Sequence, residues 1–262
     1  MRKYIFILLF VPFFSFSQTQ ECATAPTQAQ INYLTQTRSA RENWNGPEMI
    51  ISLPVQHHIV RETNGTGGLD PNDIPIIMGI MNTYYANANI SFFDCGTINY
   101  IDNSSYYNFD QSQESSVCGA NDVANVINIY YFNSVGNGSS SYCGYAYFPG
   151  GPDRIIMNNA CALNGSTLTH ELGHYLSLYH THQGSTGSNP ELVNGSNCTT
   201  AGDQLCDTPA DPTLSNSTVN TSCVYTGTAT DPNGQLYTPD PTNIMSYSRK
   251  SCRTFLSTGQ YN

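Results

Sequence analysis

The chain has 262 residues, and its 19 acidic residues against nine basic ones give a formal net charge of −10. This balance disfavours a protein that follows nucleic-acid phosphates or binds anionic membranes. Because 39% of the residues are hydrophobic and 11% are aromatic, the chain can bury a sizeable core and is not expected to be intrinsically disordered.

The first residues have the features of an export signal. Two basic residues precede an apolar stretch over 4–14, and the serines after it are small residues of the kind a signal peptidase reads. The stretch is shorter than the ~20 apolar residues of a membrane anchor. A lipoprotein is disfavoured because Cys22 follows Glu21, where a small residue is expected. We therefore expect residues 1–17 to be a signal peptide and the protein to be secreted without a membrane anchor.

Hydrophobic spacing predicts the secondary structure that follows. Residues 18–47 are polar and rich in Gln and Thr, which indicates a pro-segment or an N-terminal tail. Asp70 is placed to cap a helix that begins at Pro71. In chain order the spacing predicts a strand at 53–60, a helix at 71–87, strands at 90–93, 126–132 and 154–157, and a helix at 167–178. The remainder is turn-rich, so the order predicts a mixed α/β (α+β) domain with one site between its halves.

Export makes the nine cysteines candidates for disulfides. Cys22 lies far upstream of the others, and its plainest interpretation is a thiol in a disordered tail. The other eight are expected to form up to four disulfides, whose connectivity the sequence leaves open: Cys95, Cys118, Cys143, Cys161, Cys198, Cys206, Cys223 and Cys252.

The second predicted helix carries the chemistry. It contains His170, Glu171 and His174, and His180 follows six residues later. Histidines four apart share one helix face with Cβ atoms about 5–6 Å apart, so both imidazoles can reach one zinc ion. Glu171 lies to the side of that face, where a base acting on zinc-activated water is needed. A turn at Ser177 would bring His180 back to complete a three-histidine site with an open fourth position.

Two plainer interpretations of this pattern remain. The histidines could be solvated side chains on a polar helix face, which the full four-residue pattern disfavours. The zinc could be structural, but structural sites are usually closed and often use cysteine ligands. Here the cysteines are expected in disulfides, and a glutamate beside an open three-histidine site is what hydrolysis needs.

The pattern His-Glu-x-x-His-x-x-Gly-x-x-His, with serine at the glycine position, resembles that of the metzincin metallopeptidases. The flanks resemble the pappalysin family among them, in its cytophagalysin- and ulilysin-like bacterial branch. The segments that carry the resemblance are 168–181, 202–209 and 243–247, and 53–93 fits more loosely. The resemblance implies a metzincin-like catalytic domain over 48–262, with a twisted mixed sheet, backing and active-site helices, and an irregular disulfide-rich C-terminal half.

The resemblance also implies roles for single residues. The three histidines would bind Zn²⁺, and Glu171 would be the general base and acid. Met245 would lie in a tight turn beneath the metal as a hydrophobic floor. Tyr247 would lie near the zinc and donate a hydrogen bond to the developing oxyanion. The strand at 154–157 would be the sheet edge that pairs with an extended substrate.

Two positions depart from the family pattern. Ser177 replaces a glycine, and a left-handed serine would cost roughly 1–2 kcal/mol more than glycine there. Ser246 replaces the usual acidic residue between the methionine and the tyrosine of the turn. The chain also ends at Asn262, just after a Thr-Gly-Gln segment where relatives tend to continue as a helix. Either the chain is truncated or its final helix is short.

The resemblance gives Cys22 a second interpretation. In metzincins a pro-segment cysteine often silences the enzyme by occupying the open zinc position. Cys22 is therefore a candidate cysteine switch in a zymogen, beside the plainer interpretation given above.

A calcium site is implied in the same way, because relatives bind calcium near the Asp-Thr-Pro segment. Asp207 is the candidate ligand, with Asp203 and Asp211 as further oxygen donors. The alternative is a set of Asx-turns in a loop closed by Cys198 and Cys206. Histidines without motif spacing are expected to be structural or solvated: His57, His58 and His182.

The sequence thus predicts a secreted, monomeric zinc endopeptidase that acts on proteins or peptides and not on nucleic acid. Two other classes stay open. One is a zinc-binding but catalytically weak adhesion or interaction protein, which the intact Glu171 disfavours. The other is a zinc hydrolase with a non-peptide substrate.

Overall fold

The computed structural model of the protein describes residues 21–42 and 49–262. The predicted signal peptide lies outside the described residues, and so does part of the predicted pro-segment. Within the described ranges, no helix has both the length and the apolar character that a membrane span requires.

The elements agree with the predicted order and add several short ones. The helices are α1 (Gln28–Glu42), α2 (Ile74–Tyr85), α3 (Ser104–Tyr107), α4 (Glu114–Val117), α5 (Asn159–Ala162), α6 (Thr167–Tyr175) and α7 (Thr258–Tyr261), with 3-10 turns at Pro71–Asp73, Ala86–Ala88 and Gln111–Gln113. The strands are β1 (Ile51–Arg61), β2 (Ile90–Asp94), β3 (Asn99–Asp102), β4 (Asn108–Asp110), β5 (Ile127–Phe132), β6 (Ser134–Gly136), β7 (Ser141–Tyr142), β8 (Gly144–Ala146) and β9 (Arg154–Asn158). As predicted, the Asp70 side chain caps the first turn, since it accepts a hydrogen bond from the Asn72 N–H.

The main sheet is mixed, which confirms the predicted α/β class. Its order is β2-β1-β5-β9-β8, and β3 also pairs with β1. The pairings are parallel except for the antiparallel pair of β8 with β9. A smaller sheet has the order β4-β6-β7.

One prediction about this sheet is wrong. The strand at 154–157 is not the edge, because β9 lies between β5 and β8 and these four residues are buried. The edge is β8, which has only three residues, Gly-Tyr-Ala. A strand this short has too few residues for an alternating hydrophobic pattern, so the sequence gives no signal for it.

Helix α6 is held firmly between the sheet and α2. Its residues from Thr167 to His174 are buried, and Leu168 and Leu172 belong to the same hydrophobic cluster as Met81 of α2. The Tyr85 hydroxyl at the end of α2 donates a hydrogen bond to the Thr169 carbonyl at 2.8 Å. A rigid helix of this kind can hold side chains at fixed mutual positions.

The half of the chain after α6 is irregular, as expected, until α7 begins. The described residues form three disulfides, which are Cys143–Cys161, Cys198–Cys206 and Cys223–Cys252. Cys95 and Cys118 stay outside them, so the count falls below the upper limit of four. Cys95 is exposed after β2, whereas Cys118 is buried after α4.

Helix α6 ends at Tyr175, three residues earlier than predicted, because the chain turns at Ser177. The Ser177 N–H donates to the His174 carbonyl at 3.0 Å, and the Leu178 N–H donates to the Gly173 carbonyl at 2.8 Å. Ser177 itself has a φ of 87°, in the left-handed region that favours glycine.

We expect Ser177→Gly to stabilise the protein. Relief of the left-handed strain outweighs the extra backbone entropy of glycine in the unfolded chain, for a net gain of roughly 0.5–1 kcal/mol. The free energy of unfolding, measured by denaturant titration with the disulfides intact, checks this. Ser115→Gly is the matched control, because Ser115 is an exposed serine inside α4 and its replacement should destabilise. An equal loss in both variants would contradict the prediction.

Candidate metal centre

Three histidine side chains meet at the end of α6. Their Nε2 atoms are 3.1 Å apart between His170 and His174, 3.0 Å between His174 and His180, and 3.1 Å between His180 and His170. The four-residue spacing on α6 places the first two on one face, and the turn at Ser177 returns the chain so that His180 faces them. All three are buried.

On two of these rings the proton lies away from the point where the three rings meet. His170 Nδ1 donates to the Ile244 carbonyl at 2.7 Å, and His174 Nδ1 donates to the Leu178 carbonyl at 2.8 Å. Because a carbonyl can only accept, each neutral ring keeps its proton on Nδ1 and turns an Nε2 lone pair inward. Burial lowers the pKa of His174 to about 4 and the pKa of His170 and His180 well below the ordinary value, so the rings are neutral at pH 7.

Lone pairs that face one another at about 3 Å repel unless a cation lies between them. Nitrogens bound to one tetrahedral zinc at about 2.0–2.1 Å lie roughly 3.4 Å apart, close to the observed separations. The donor set therefore fits zinc. Among the described residues, one group of side chains brings its potential ligand atoms close enough together to hold a metal ion. It consists of these three histidines and Cys22.

Glu171 is fully buried beside this group. Its Oε2 accepts hydrogen bonds from the Cys22 thiol at 3.3 Å and from the Thr24 hydroxyl at 3.1 Å. Its Oε1 has no hydrogen-bond partner within the described part of the chain. Burial raises the pKa of this carboxyl to about 8, and the two hydrogen bonds oppose that rise. Residues from the N-terminal segment thus cover this carboxyl group.

Residues 110–261 match the profile of peptidase family M43, described as pregnancy-associated plasma protein-A. The match spans more than half of the chain. The chain belongs to this pappalysin family. It is a zinc metalloendopeptidase, as the sequence predicted, and the comparisons do not favour a catalytically weak adhesion protein.

Relatives named extracellular metalloproteases occur in fungi. One from Colletotrichum graminicola is 28% identical over 77% of this chain and 70% of its own length. Another, from Podospora anserina, is 28% identical over 80% of this chain and 71% of its own length. A solved structure of metalloproteinase-II from Bacteroides fragilis aligns with a TM-score of 0.35 at 14% identity, and the alignment covers 64% of this chain and 48% of that one.

Met245 lies directly against α6 in this peptidase. It is fully buried, and its sulfur packs so closely on Gly173 that a Cβ at that helix position would displace the end of the Met245 side chain. The turn is held by the Met245 N–H, which donates to Asn243 Oδ1 at 2.8 Å. Ser246 supplies a further bond from its hydroxyl to the Asn243 carbonyl at 2.8 Å. A serine at this position therefore supports the turn.

Tyr247 also lies at the site. Its ring is 6.1 Å from the His170 ring and 4.7 Å from the His180 ring between centroids. Its hydroxyl donates a hydrogen bond to the Cys22 carbonyl at 3.1 Å. A peptide carbonyl beside the three histidines can therefore accept a hydrogen bond from Tyr247.

Among the described residues, the aspartates considered for calcium do not bring three ligand atoms close enough together to hold a metal ion. Burial, with the nearby charges of Asp207 and Asp211, raises the pKa of Asp203 to about 7. Asp207 accepts hydrogen bonds from the Ser257 hydroxyl at 3.0 Å and the Gly259 N–H at 2.6 Å, and so anchors the C-terminal helix. Asp211 accepts from the Thr181 hydroxyl. The loop is closed by the Cys198–Cys206 disulfide.

Three features of the site have no signal in the sequence. Thr24 lies beside β8, where its hydroxyl accepts a hydrogen bond from the Ala146 N–H and donates one to the Ala146 carbonyl. His182 stacks on His180 with ring centroids 4.8 Å apart. Arg253 is buried close to the histidines, eight residues after Met245. Each depends on contacts between distant segments, which local spacing does not reveal.

The remaining histidines, His57 and His58, are buried away from this group. They form hydrogen bonds with Tyr131 and Asn128, respectively, as expected for structural residues.

Proposed function

We propose that this peptidase is a secreted enzyme, made as a zymogen, in which Glu171 is the general base for hydrolysis of peptide bonds. The observation that carries the proposal is the position of a buried carboxylate beside three histidines whose lone pairs face one another. A solvated polar helix would have no such arrangement.

The chemistry that zinc supplies at a three-histidine site is Lewis acidity, which polarises a carbonyl and lowers the pKa of water to about 7. The protein side chains do the rest. Glu171 takes the proton of the attacking water and then passes it to the leaving amine. The Tyr247 hydroxyl, which here bonds a peptide carbonyl, donates to the oxygen that gains negative charge. Met245 packs beneath the ligands and keeps α6 and the turn at a fixed distance.

The zymogen part of the proposal is supported by the segment Cys22–Thr24. The Cys22 sulfur lies within 4.8 Å of the three histidine nitrogens, and its thiol donates to Glu171. Thr24 donates a hydrogen bond to the same carboxylate oxygen, and the Cys22 carbonyl accepts a hydrogen bond from the Tyr247 hydroxyl. A single segment thus engages the metal position, the base and the oxyanion donor, which would leave no room for a substrate.

Export and processing complete the proposal. Residues 1–17 would be removed as a signal peptide, residues 18–47 would be the pro-segment, and 48–262 would be the catalytic domain. The relatives named extracellular metalloproteases support secretion. The enzyme would act on proteins or peptides as a monomer.

Calcium binding at Asp207 stays a prediction from the sequence. An ion there would have to replace the hydrogen bonds of Asp207 to Ser257 and Gly259. Loss of thermal stability on treatment with a calcium-selective chelator would support the site.

The proposed function is tested by digestion of a denatured protein mixture with the processed enzyme, with and without a zinc chelator. We expect many internal cuts, identified by mass spectrometry, which disappear with the chelator and return when zinc is added. Cuts that resist the chelator would contradict the zinc mechanism. An absence of cuts, with one zinc still bound per chain, would favour the zinc-binding interaction protein.

A further inference from the structure

Arg253 is a buried cation whose charge is neutralised from outside the catalytic domain. Its side chain is 1% exposed, and its Nη2 donates to Glu21 Oε2 at 2.8 Å. Lys250 Nζ lies 3.7 Å from the same oxygen. Within residues 21–42 and 49–262, the carboxylate that lies within ion-pair distance of Arg253 is that of Glu21. Over the same residues, Arg253 Nε has no hydrogen-bond partner.

Glu21 occupies this place as part of a segment that lies along the sheet edge. The Ala23 N–H donates to the Gly144 carbonyl of β8 at 3.1 Å, and Thr24 bonds Ala146 of the same strand. An extended peptide added to a sheet edge is a common form of peptide recognition. The segment therefore lies where a peptide substrate that pairs with β8 would lie. The Glu21 side chain then occupies a position that a substrate side chain would fill.

That subsite is immediately beside the metal position. Glu21 precedes Cys22, whose sulfur lies among the three histidine nitrogens, and successive Cα atoms are about 3.8 Å apart. A carboxylate that reaches Arg253 thus belongs to a residue one or two positions from the scissile bond. Removal of the segment would leave a buried guanidinium without its counter-charge, which is strongly unfavourable until another anion or water replaces it.

We propose that Arg253, with Lys250, forms a basic subsite that makes the processed enzyme select Glu or Asp at a position one or two residues from the scissile bond. The proposal rests on the proposed function. Guanidinium groups pair with carboxylates through two parallel hydrogen bonds, so Arg253 is suited to recognise an acidic side chain. The substrates would then be proteins cut near acidic residues.

The first test is a digest of a peptide library by the processed enzyme and its variants, with cleavage sites read by mass spectrometry. We expect Glu and Asp to be enriched roughly 10- to 100-fold at one position within two residues of the cut, as one charge-assisted hydrogen bond allows. Arg253→Gln should abolish the enrichment, and Arg253→Lys should keep part of it. Arg61→Gln, which removes a half-buried arginine paired with Asp102, should leave the cleavage preference unchanged. Abundant cuts without acidic enrichment would overturn the proposal and leave the proposed function intact.

The second test measures binding and needs no catalysis. Two peptides spanning residues 21–24, one with Glu21 and one with Gln at that position, are titrated against the processed Glu171→Gln protein by calorimetry. We expect the Glu peptide to bind at least about tenfold more tightly, and Arg253→Gln or Arg253→Lys to reduce the ratio. Equal affinities would overturn the subsite, even if the digest gave no cuts and the proposed function failed. The peptide pair also decides the question if Arg253→Gln does not fold.

Discussion

Replacement of Glu171 by Gln should abolish peptide hydrolysis while one zinc per chain stays bound. Glutamine keeps the size of the buried side chain and can still accept a hydrogen bond from Thr24, but it cannot take a proton from water. His170 and His174 keep their Nδ1 bonds to backbone carbonyls, so metal affinity should change little. A general base typically contributes a factor of about 10² to 10⁴ to the rate, and we expect a loss within that range.

The measurement combines peptide cleavage with metal content in the processed enzyme. His174→Ala is the contrasting variant, because it removes a ligand and should lose zinc and activity together. Glu62→Gln is the matched control, since Glu62 lies in the turn after β1, away from α6, and should keep full activity. An E171Q enzyme that cleaves at the wild-type rate would remove Glu171 from the mechanism.

The parts of the site that the sequence predicts are those with a local cause. His170, Glu171 and His174 lie within five residues of one helix, so the helical repeat alone brings them to adjacent faces. Asp70 caps its helix through a bond to a residue two positions away. The prediction for Ser177 was also local, because the motif requires a turn there and the structure has a left-handed residue.

The parts that the sequence does not predict depend on tertiary pairing. The interior position of β9 follows from the pairing of β8 against it, and three residues carry no periodic pattern that would reveal this. The pairing of Arg253 with Glu21 joins residues 232 positions apart. Helix α1 lies in a segment that the sequence predicts as a pro-segment or an N-terminal tail, without a helix, and its Leu34 is buried with Phe148 and Tyr179. Whether such contacts form depends on how distant segments pack in the whole fold. Local sequence patterns carry no information about that packing.

In the full-length precursor, Cys22→Ala should release activity before any processing. The substitution removes the sulfur from the metal position and the thiol bond to Glu171, so that water and substrate can compete for both. Thr24 and Glu21 still hold the segment through Glu171, Ala146 and Arg253, and for this reason we expect partial release. Loss of about 1.4 kcal/mol of segment binding would raise the accessible fraction tenfold.

Initial rates of peptide cleavage by the unprocessed precursor, checked for intact length by mass spectrometry, measure this release. Cys95→Ala is the matched control, because Cys95 is an exposed cysteine outside the disulfides and its loss should leave the precursor latent. A second substitution, Glu21→Gln, should raise the rate of C22A further by breaking the bond to Arg253. A C22A precursor that stays as silent as the wild type would mean that Thr24 and Glu21 alone keep the site closed. The cysteine would then have no inhibitory role, and latency would depend on the polar contacts of its two neighbours.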